Sequence, residues 1–263
     1  MKLVVLAAGY ATRLYPLTQD RPKHLLEIAG RPMLEHLLER LPLGELDTIF
    51  VVTNAKFAPR FREWAERYPA EIDVIDDGTT ADETRLGAIG DLDLVISTRN
   101  LDDDVIVAAG DSLFSDRLDG FVRSGREKRA PVVAVYDVGS LDAIKRYSAI
   151  AVDEEGRITS CEEKPEHPET TLAGVALYFY PRAILPLVRT YLDEDNNPDQ
   201  PGRFVEWLYR RTPVHTWPVP GRWIDIGTHE ALRDAEQVLG TLGETPAGRP
   251  VISDGRAGKA DAS

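Results

Sequence analysis

The chain opens with LVVLAAGYATRLYPLTQDRPKHLLE, residues 3–27, and the architecture of the remainder follows from this segment. Its apolar run, residues 3–6, gives way to small residues, which predicts a buried strand of a parallel sheet. Ala7, Ala8 and Gly9 have no side chain large enough to keep a ligand away from the backbone. A strand that leads into such a loop can direct backbone N–H groups at phosphate oxygens.

Two basic side chains accompany this loop. Arg13 follows it directly, and Lys23 comes ten residues later, after Pro16 and Pro22. One arginine and one lysine would supply the positive charge that a polyphosphate needs. The alternative is a strand followed by an ordinary surface loop.

The whole segment resembles the signature of the sugar nucleotidyltransferases, such as the glucose-1-phosphate thymidylyltransferases, which runs along the lines of LAGGxGTRLxPLTxxxPKPLLPVxGKPM. This chain reads LAAGYATRLYPLTQDRPKHLLEIAGRPM, with the order, the spacing and both basic residues in agreement. It departs from the signature at Ala8 and Ala11, where the family has glycines, and at His24 and Glu27, where it has prolines. A bare glycine-rich loop is weak evidence, but a match of this length is not expected by chance.

Length and composition restrict the class of protein. The 263 residues suit one large α/β domain or two small ones with a sizeable core. The net charge of −13 argues against general affinity for nucleic acid or for an anionic membrane. A single cysteine, Cys161, excludes an internal disulfide and a cysteine-based zinc site. Since no signal peptide or membrane-spanning stretch is apparent, we expect a cytoplasmic enzyme, with homo-oligomerisation left open.

Strands and helices alternate through the first half of the chain. The pattern predicts strands at residues 48–53, 72–75 and 104–109, and helices at 33–41, 57–68 and 86–96. This alternation is typical of an α/β fold with a Rossmann-like, doubly wound, mostly parallel sheet. Ligands bind beyond the C-terminal strand ends of such sheets, where the opening loop, the loop 76–80 and Asp111 all fall.

The second half changes character. It predicts strands at 131–138 and 173–180, a hairpin at 148–152 and 157–160, and helices at 182–192, 204–210 and 228–239. We interpret residues 1–240 as a single domain, in which 1–112 mainly bind the NTP and 113–240 contain an inserted antiparallel part that mainly binds the acceptor. Residues 241–263 are rich in glycine and alanine with scattered charge, which predicts a disordered tail.

Two carboxylates follow predicted strands. Asp111, in AAGDSLF, would naturally hold Mg²⁺ if it faces bound phosphates. Asp225 lies in WIDIGTHEAL, and resemblance to the family's GD and WxDxGTxExL motifs implies that both aspartates are metal ligands. The alternative is a turn or a helix N-cap for Asp111, and the N-cap of the last helix for Asp225. Thr228 fits the cap of the last helix better, which leaves Asp225 free.

A third motif, EEKP at residues 162–165, resembles the family segment whose lysine binds the acceptor phosphate and whose glutamate contacts sugar hydroxyls. As a bare string it is only a polar loop. Arg146-Tyr147-Ser148 resembles the family's R-Y/F-G, with serine in place of glycine, and AGVALYFY resembles TGLYFY. The predicted acceptor-binding residues are Tyr147, Glu163, Lys164, Gly174 and Arg203.

The segment 76–90, DDGTTADETRLGAIG, is the least similar to the family. Thymidylyltransferases have a Gln-Pro loop here that reads the base, and that glutamine is missing. Asp77, Gly78 and Thr79 could read a base or ribose, or simply make a turn. Near residue 200 the family's acidic segment is replaced by NNPDQPGRF, in which Arg203 could face an anionic acceptor or be solvated.

The resemblance implies a Mg²⁺-dependent nucleotidyltransferase. A phosphorylated acceptor, most simply a sugar 1-phosphate, would attack the α-phosphorus of an NTP and release pyrophosphate. Arg13 would stabilise the leaving group, and Lys23 would contact the α-phosphate or the acceptor phosphate. The residues expected to bind the nucleotide are Leu6, Ala7, Ala8, Gly9, Thr12, Asp77, Gly78 and Thr79.

Two other functions stay open at this point. The chain could be a cytidylyltransferase acting on a non-sugar phosphate or phosphonate, as the divergent segment 76–90 and the region around Arg203 suggest. It could also be a catalytically silent, nucleotide-binding regulatory subunit. The joint presence of Arg13, Lys23, Asp111, Lys164 and Asp225 argues against the second.

Overall fold

The computed structural model describes residues 1–241 of the chain. The predicted tail therefore lies outside the described residues from position 242 onward. Within residues 1–241, no helix combines the length and the apolar character needed to cross a membrane.

The described elements alternate as the sequence predicts. The strands are β1 (Lys2–Leu6), β2 (Glu27–Ile28), β3 (Arg31–Pro32), β4 (Thr48–Thr53), β5 (Ile72–Asp76), β6 (Val105–Ala109), β7 (Ser112–Phe114), β8 (Val132–Asp137), β9 (Ser148–Val152), β10 (Ile158–Glu163), β11 (Leu172–Tyr180), β12 (His215–Pro218) and β13 (Trp223–Asp225). The α-helices are α1 (Met33–Arg40), α2 (Ala58–Ala65), α3 (Ala88–Arg99), α4 (Asp119–Lys128), α5 (Leu185–Asp193), α6 (Pro201–Leu208) and α7 (His229–Thr241).

Nine of the described strands form one mixed sheet whose two halves differ in direction, while β7 pairs with β13 and β2 with β3 in two separate ladders. The path of the mixed sheet runs β10-β9-β11-β6-β1-β4-β5, with β8 joined to β11 and β12 joined to β8. Strands β6, β1, β4 and β5 are parallel, whereas β11 runs antiparallel to β6, β8 and β9. The α/β fold and the antiparallel insertion are therefore both confirmed.

Helices cover both faces of the sheet, which explains the continuous apolar run of β1. Leu3 and Val5 pack into the core layer under α1, α2 and α4, while Val4 and Leu6 pack into the layer under α3, α5 and α6. A strand buried on both faces needs apolar side chains at every position. Consequently β1 lies at the centre of the sheet, and its C-terminal end opens into the loop that follows.

Several short elements and one helix were not predicted from the sequence. Strands β2 and β3 have two residues each, β7 has three and β12 has four, which is too short for a period to emerge. Helix α4 contains Gly120 and Gly125, which lower helix propensity. Gly125 is needed there because a Cβ would lie 2.3 Å from the ring of Phe179, so close packing outweighs propensity.

Candidate active site

A cavity of about 410 Å³ opens where β1 and β6 end. It is lined by residues from both halves of the chain. The predicted site residues on its wall are Leu6, Ala8, Gly9, Asp111, Tyr147, Glu163, Lys164, Gly174 and Asp225. The end of a parallel sheet is where a doubly wound fold is expected to bind its ligand.

The two predicted metal-binding aspartates meet through a short antiparallel ladder. Strand β13 pairs with β7 so that Asp225 lies opposite Ser112, the neighbour of Asp111. The N–H of Ile226 then donates to the carbonyl oxygen of Asp111 at 3.1 Å. This ladder, which the sequence did not predict, is what brings two distant acids to one wall of the cavity.

Lys23 connects the first loop to these acids. Its ammonium group donates to the carboxylate of Asp111 and, at 3.0 Å, to the carbonyl oxygen of Ile226. Lys23 begins a short 3-10 helix, residues Lys23–Leu25, directly after Pro22. With 13% of its side chain exposed, the ammonium group is largely shielded from water, so its charge acts strongly on its neighbours.

The charges at this wall shift the pKa values of the two acids in opposite directions. Burial by itself would raise the pKa of Asp111, but the charge of Lys23 holds that pKa below its ordinary range. Burial, and then the negative charge of Asp111, raise the pKa of Asp225 to about 6. Lys23, Arg146 and Arg13 oppose that rise. When two carboxylates lie side by side, the second is hard to ionise without more positive charge.

This donor set fits a magnesium ion that is shared with substrate. Among residues 1–241 no group of three or more histidine, cysteine, aspartate or glutamate side chains could enclose a metal. Mg²⁺ commonly takes one or two protein carboxylates and completes its shell with water and phosphate oxygens. Asp111 and Asp225 match that requirement, and their excess negative charge is what a divalent cation would neutralise.

The first loop is only partly directed at the cavity. Leu6, Ala8 and Gly9 line it, but the N–H of Ala7 donates to the carbonyl oxygen of Val52 at 2.9 Å and so is already occupied. Thr12 and Arg13 are exposed and do not line the cavity. The charge of Arg13 nevertheless opposes the rise in the pKa of Asp225, which indicates that Arg13 lies near the acids.

The loop after β5 forms a turn rather than a wall of the cavity. The carboxylates of Asp76 and Asp77 accept hydrogen bonds from the N–H groups of Gly78 (2.9 Å) and Thr79 (2.7 Å), and Gly78 has a φ of +77°. Asp77, Gly78 and Thr79 do not line the cavity, so the structure does not bring these predicted nucleotide contacts into it. Asp91, on the helix that follows, lines it instead and was not predicted.

The opposite end of the cavity is built around Glu163. Ser148 donates to the Glu163 carboxylate, and the ammonium of Lys164 lies 4.0 Å from it. Helix α6 begins against this pair, because a Cβ on Gly202 would lie 2.0 Å from the Ser148 hydroxyl and 2.1 Å from the carboxylate. Only glycine allows the helix to approach so closely.

Aromatic rings close this end of the cavity. The rings of Tyr147 and Trp223 meet edge-on, with centroids 5.1 Å apart, and both residues line the cavity. Trp223 also packs on Tyr136, so it belongs both to an aromatic cluster and to the wall of the cavity. Arg203 does not reach this cavity: it lines a different one and donates to the side chain of Gln200 at 2.8 Å.

Two loops from different halves are locked together beside the cavity. Arg85 forms a two-pronged ion pair with Asp199 at 2.8 and 3.0 Å. The N–H of Ile89 donates to the carbonyl oxygen of Pro198 at 2.8 Å, and Gly87 lies so close to that carbonyl that a Cβ would sit 2.6 Å away. Arg85, Gly87 and Asp199 were not predicted from the sequence. Gly87 has a φ of +80°, a conformation that favours glycine, so the glycine itself was the available signal.

Comparison with known proteins gives consistent matches. The model of the family described as nucleotidyl transferase matches residues 2–241. A UTP–glucose-1-phosphate uridylyltransferase of Haloferax volcanii is 28% identical over 241 residues, covering 91% of this chain and 96% of the relative. A glucose-1-phosphate thymidylyltransferase of Streptomyces antibioticus is 26% identical over 269 residues, covering 97% of this chain and 74% of the relative. The solved structure of a UDP-glucose pyrophosphorylase complexed with UDP-glucose shares the fold, with a TM-score of 0.76 at 19% identity over 91% of this chain and 98% of that chain.

Proposed function

The chain belongs to the nucleotidyl transferase family, and from that premise we propose that it joins an NTP to a phosphorylated acceptor in a Mg²⁺-dependent reaction. The acceptor phosphate attacks the α-phosphorus, and pyrophosphate leaves. The relatives named for glucose 1-phosphate support a sugar 1-phosphate as the acceptor. Such transfers depend on positioning and charge neutralisation more than on covalent help from the protein.

The observation that carries the proposal is the position of Lys23 between the first loop and the paired acids. Lys23 contacts Asp111 and the backbone carbonyl of Ile226, the residue after Asp225. One ammonium group thus joins the loop that would cradle phosphates to the carboxylates that would hold a metal. A polyphosphate in this cavity would meet positive charge and metal-binding oxygens at the same place.

The side chains at the site have separate proposed roles in the reaction. Asp111 and Asp225 would hold the Mg²⁺, which, when bound, neutralises charge on phosphate oxygens. Lys23 attracts the α-phosphate or the acceptor phosphate, and Arg13 stabilises the departing pyrophosphate. Lys164 holds the acceptor phosphate at the far end, and Glu163, oriented by Ser148, accepts hydrogen bonds from acceptor hydroxyls.

A screen of NTPs against phosphorylated acceptors, read by pyrophosphate release with Mg²⁺ present, tests the proposal. The panel contains sugar 1-phosphates, polyol phosphates, choline-type phosphates and a phosphonate. Release that requires a sugar 1-phosphate supports the proposal as stated. Release that requires CTP and a non-sugar acceptor would show that the acceptor is that compound and not a sugar 1-phosphate. NTP binding without release for any acceptor would indicate a regulatory subunit.

A further inference from the structure

Two buried carboxyl oxygens beside the cavity have no hydrogen-bond donor. They are Oδ2 of Asp77, in the turn after β5, and Oδ1 of Asp91, in the first turn of α3. Asp91 is only 4% exposed yet lines the cavity. A buried polar atom without a partner costs free energy, so a missing partner needs an explanation.

Each carboxyl group can be the missing partner of the other if the two share one proton, because the protonated group then donates to the ionised one. Each of the two carboxyl groups acts on the pKa of the other, which indicates that they lie side by side. Burial, and then the charge of Asp77, raise the pKa of Asp91 to about 8, so the proton resides on Asp91 at neutral pH. Thr79 donates to the other oxygen of Asp77, which favours the charged form there.

The charged and titratable groups around the pair leave it negative overall. Asp76 and Asp199 act on it with their charges, Tyr10 lies beside the Asp77 loop, and Arg85 is already paired with Asp199 and Asp82. No cation among the residues that the structure describes forms an ion pair of 4 Å or less with Asp77 or Asp91. A ligand that meets Asp91 from the cavity therefore meets an acceptor in a negative field.

We propose that Asp91, fixed by its shared proton with Asp77, reads the base of the bound NTP and selects a base that carries an amino group. This rests on the proposed function, since the cavity must first hold an NTP. Asp91 gives its proton to Asp77, and its second oxygen accepts a hydrogen bond from the base. Leu6, Ala8 and Gly9, which are expected to bind the nucleotide, line the same cavity as Asp91.

The chemistry of the bases sets the selection. Cytosine, adenine and guanine each present an amino group that donates to an acceptor. Uracil and thymine can donate only through N3–H, which is flanked on both sides by carbonyl oxygens that the negative pair repels. A buried acceptor in a negative field therefore favours a base with an amino group over uracil or thymine.

The test is calorimetric titration with CTP, ATP, GTP, UTP and dTTP at pH 7, with Mg²⁺ and without any acceptor. We expect at least one amino-bearing NTP to bind about tenfold more tightly than UTP and dTTP, the worth of one good hydrogen bond. Asp91→Leu removes the acceptor, so this preference should disappear. Asp93→Asn is the matched control on the same helix, because Asp93 pairs with Arg189 at 2.6 Å and does not line the cavity.

Asp91→Asn gives a second readout that holds even if Asp91→Leu fails to fold. An amide keeps the donor to Asp77 and the acceptor to the base, but it cannot lose a proton. Loss of the shared proton leaves two carboxylates that repel each other, so Asp91 is no longer held in place. Affinity for the preferred NTP should therefore fall in the wild type between pH 7 and pH 9 and stay level in Asp91→Asn.

Three results would overturn the inference while leaving the proposed function intact: tightest binding of UTP or dTTP, an unchanged preference in Asp91→Leu, or the same pH profile in Asp91→Asn as in the wild type. Failure of every NTP to bind would instead contradict the proposed function itself.

Discussion

Lys23 donates a hydrogen bond to the carboxylate of Asp111, which lies 88 residues further along the chain. The same ammonium group also reaches the backbone after Asp225. These contacts place a positive charge between the first loop and two acids. They also require all three segments to be folded, because neither carboxylate is near Lys23 in sequence.

Replacing Lys23 with methionine should lower turnover by about two orders of magnitude or more, the effect of removing one charged donor from a transition state. The apolar stem is kept, so packing is largely preserved. Steady-state pyrophosphate release with the preferred substrates measures the effect. Lys145→Met, which removes an exposed lysine 3.9 Å from Asp142, is the control and should be unaffected. A Lys23→Met enzyme with normal turnover would remove Lys23 from the reaction.

Arg13→Ala should also lower turnover by orders of magnitude, because the leaving pyrophosphate would lose its cation. Arg13 is exposed, so the fold should be unchanged and circular dichroism should match the wild type. Arg60→Ala, on the exposed face of α2, is the control for loss of a surface arginine. If Arg13→Ala changes neither turnover nor the KM for NTP, the loop does not act on the leaving group.

Gly202→Ala should raise the KM for the acceptor and leave NTP binding unchanged. Its methyl group would collide with the Ser148 hydroxyl and the Glu163 carboxylate, so both side chains must move. Gly44→Ala is the matched control, because a Cβ there meets nothing within 4 Å. An unchanged KM for the acceptor, with the variant folded, would show that Glu163 does not bind the acceptor.

Asp91→Asn should stabilise the protein, and more so at pH 8 than at pH 5. The pKa of Asp91 is raised from 3.8 to about 8, so the folded state holds a proton that the unfolded chain releases. Stability from this group is complete below about pH 4 and declines as pH rises towards 8. Thermal melting at the two pH values measures the difference, with exposed Asp142→Asn as control. A stability gain that is equal at both pH values would contradict a protonated Asp91.

The central strand and the first loop could be predicted because their pattern is local. The apolar run of β1, the small residues after it and Lys23 all lie within 25 residues. The alternation of strands and helices predicted the doubly wound half of the sheet. Asp111 and Asp225 were recognised as candidates by motif, but the contact that joins them, β7 with β13, is three residues long and has no sequence period.

Other parts of the site depended on packing that no short pattern records. Asp91 occurs within a helix and looks like any polar helical residue until its burial against Asp77 is seen. Gly202 looks like a loop glycine, although it is required by Glu163. Arg203 was predicted for the acceptor, but the direction of a helical side chain depends on where α6 packs, and it lies on another cavity.

The most direct test of the central claim is acceptor-dependent pyrophosphate release by the wild type and by Asp111→Ala and Asp225→Ala, with Mg²⁺ and with the metal removed by chelation. We predict release by the wild type only when an acceptor and Mg²⁺ are both present, and a loss of several orders of magnitude in both variants while they remain folded. Full activity in Asp111→Ala, or release that is indifferent to chelation, would contradict the claim that the two acids act together over a polyphosphate.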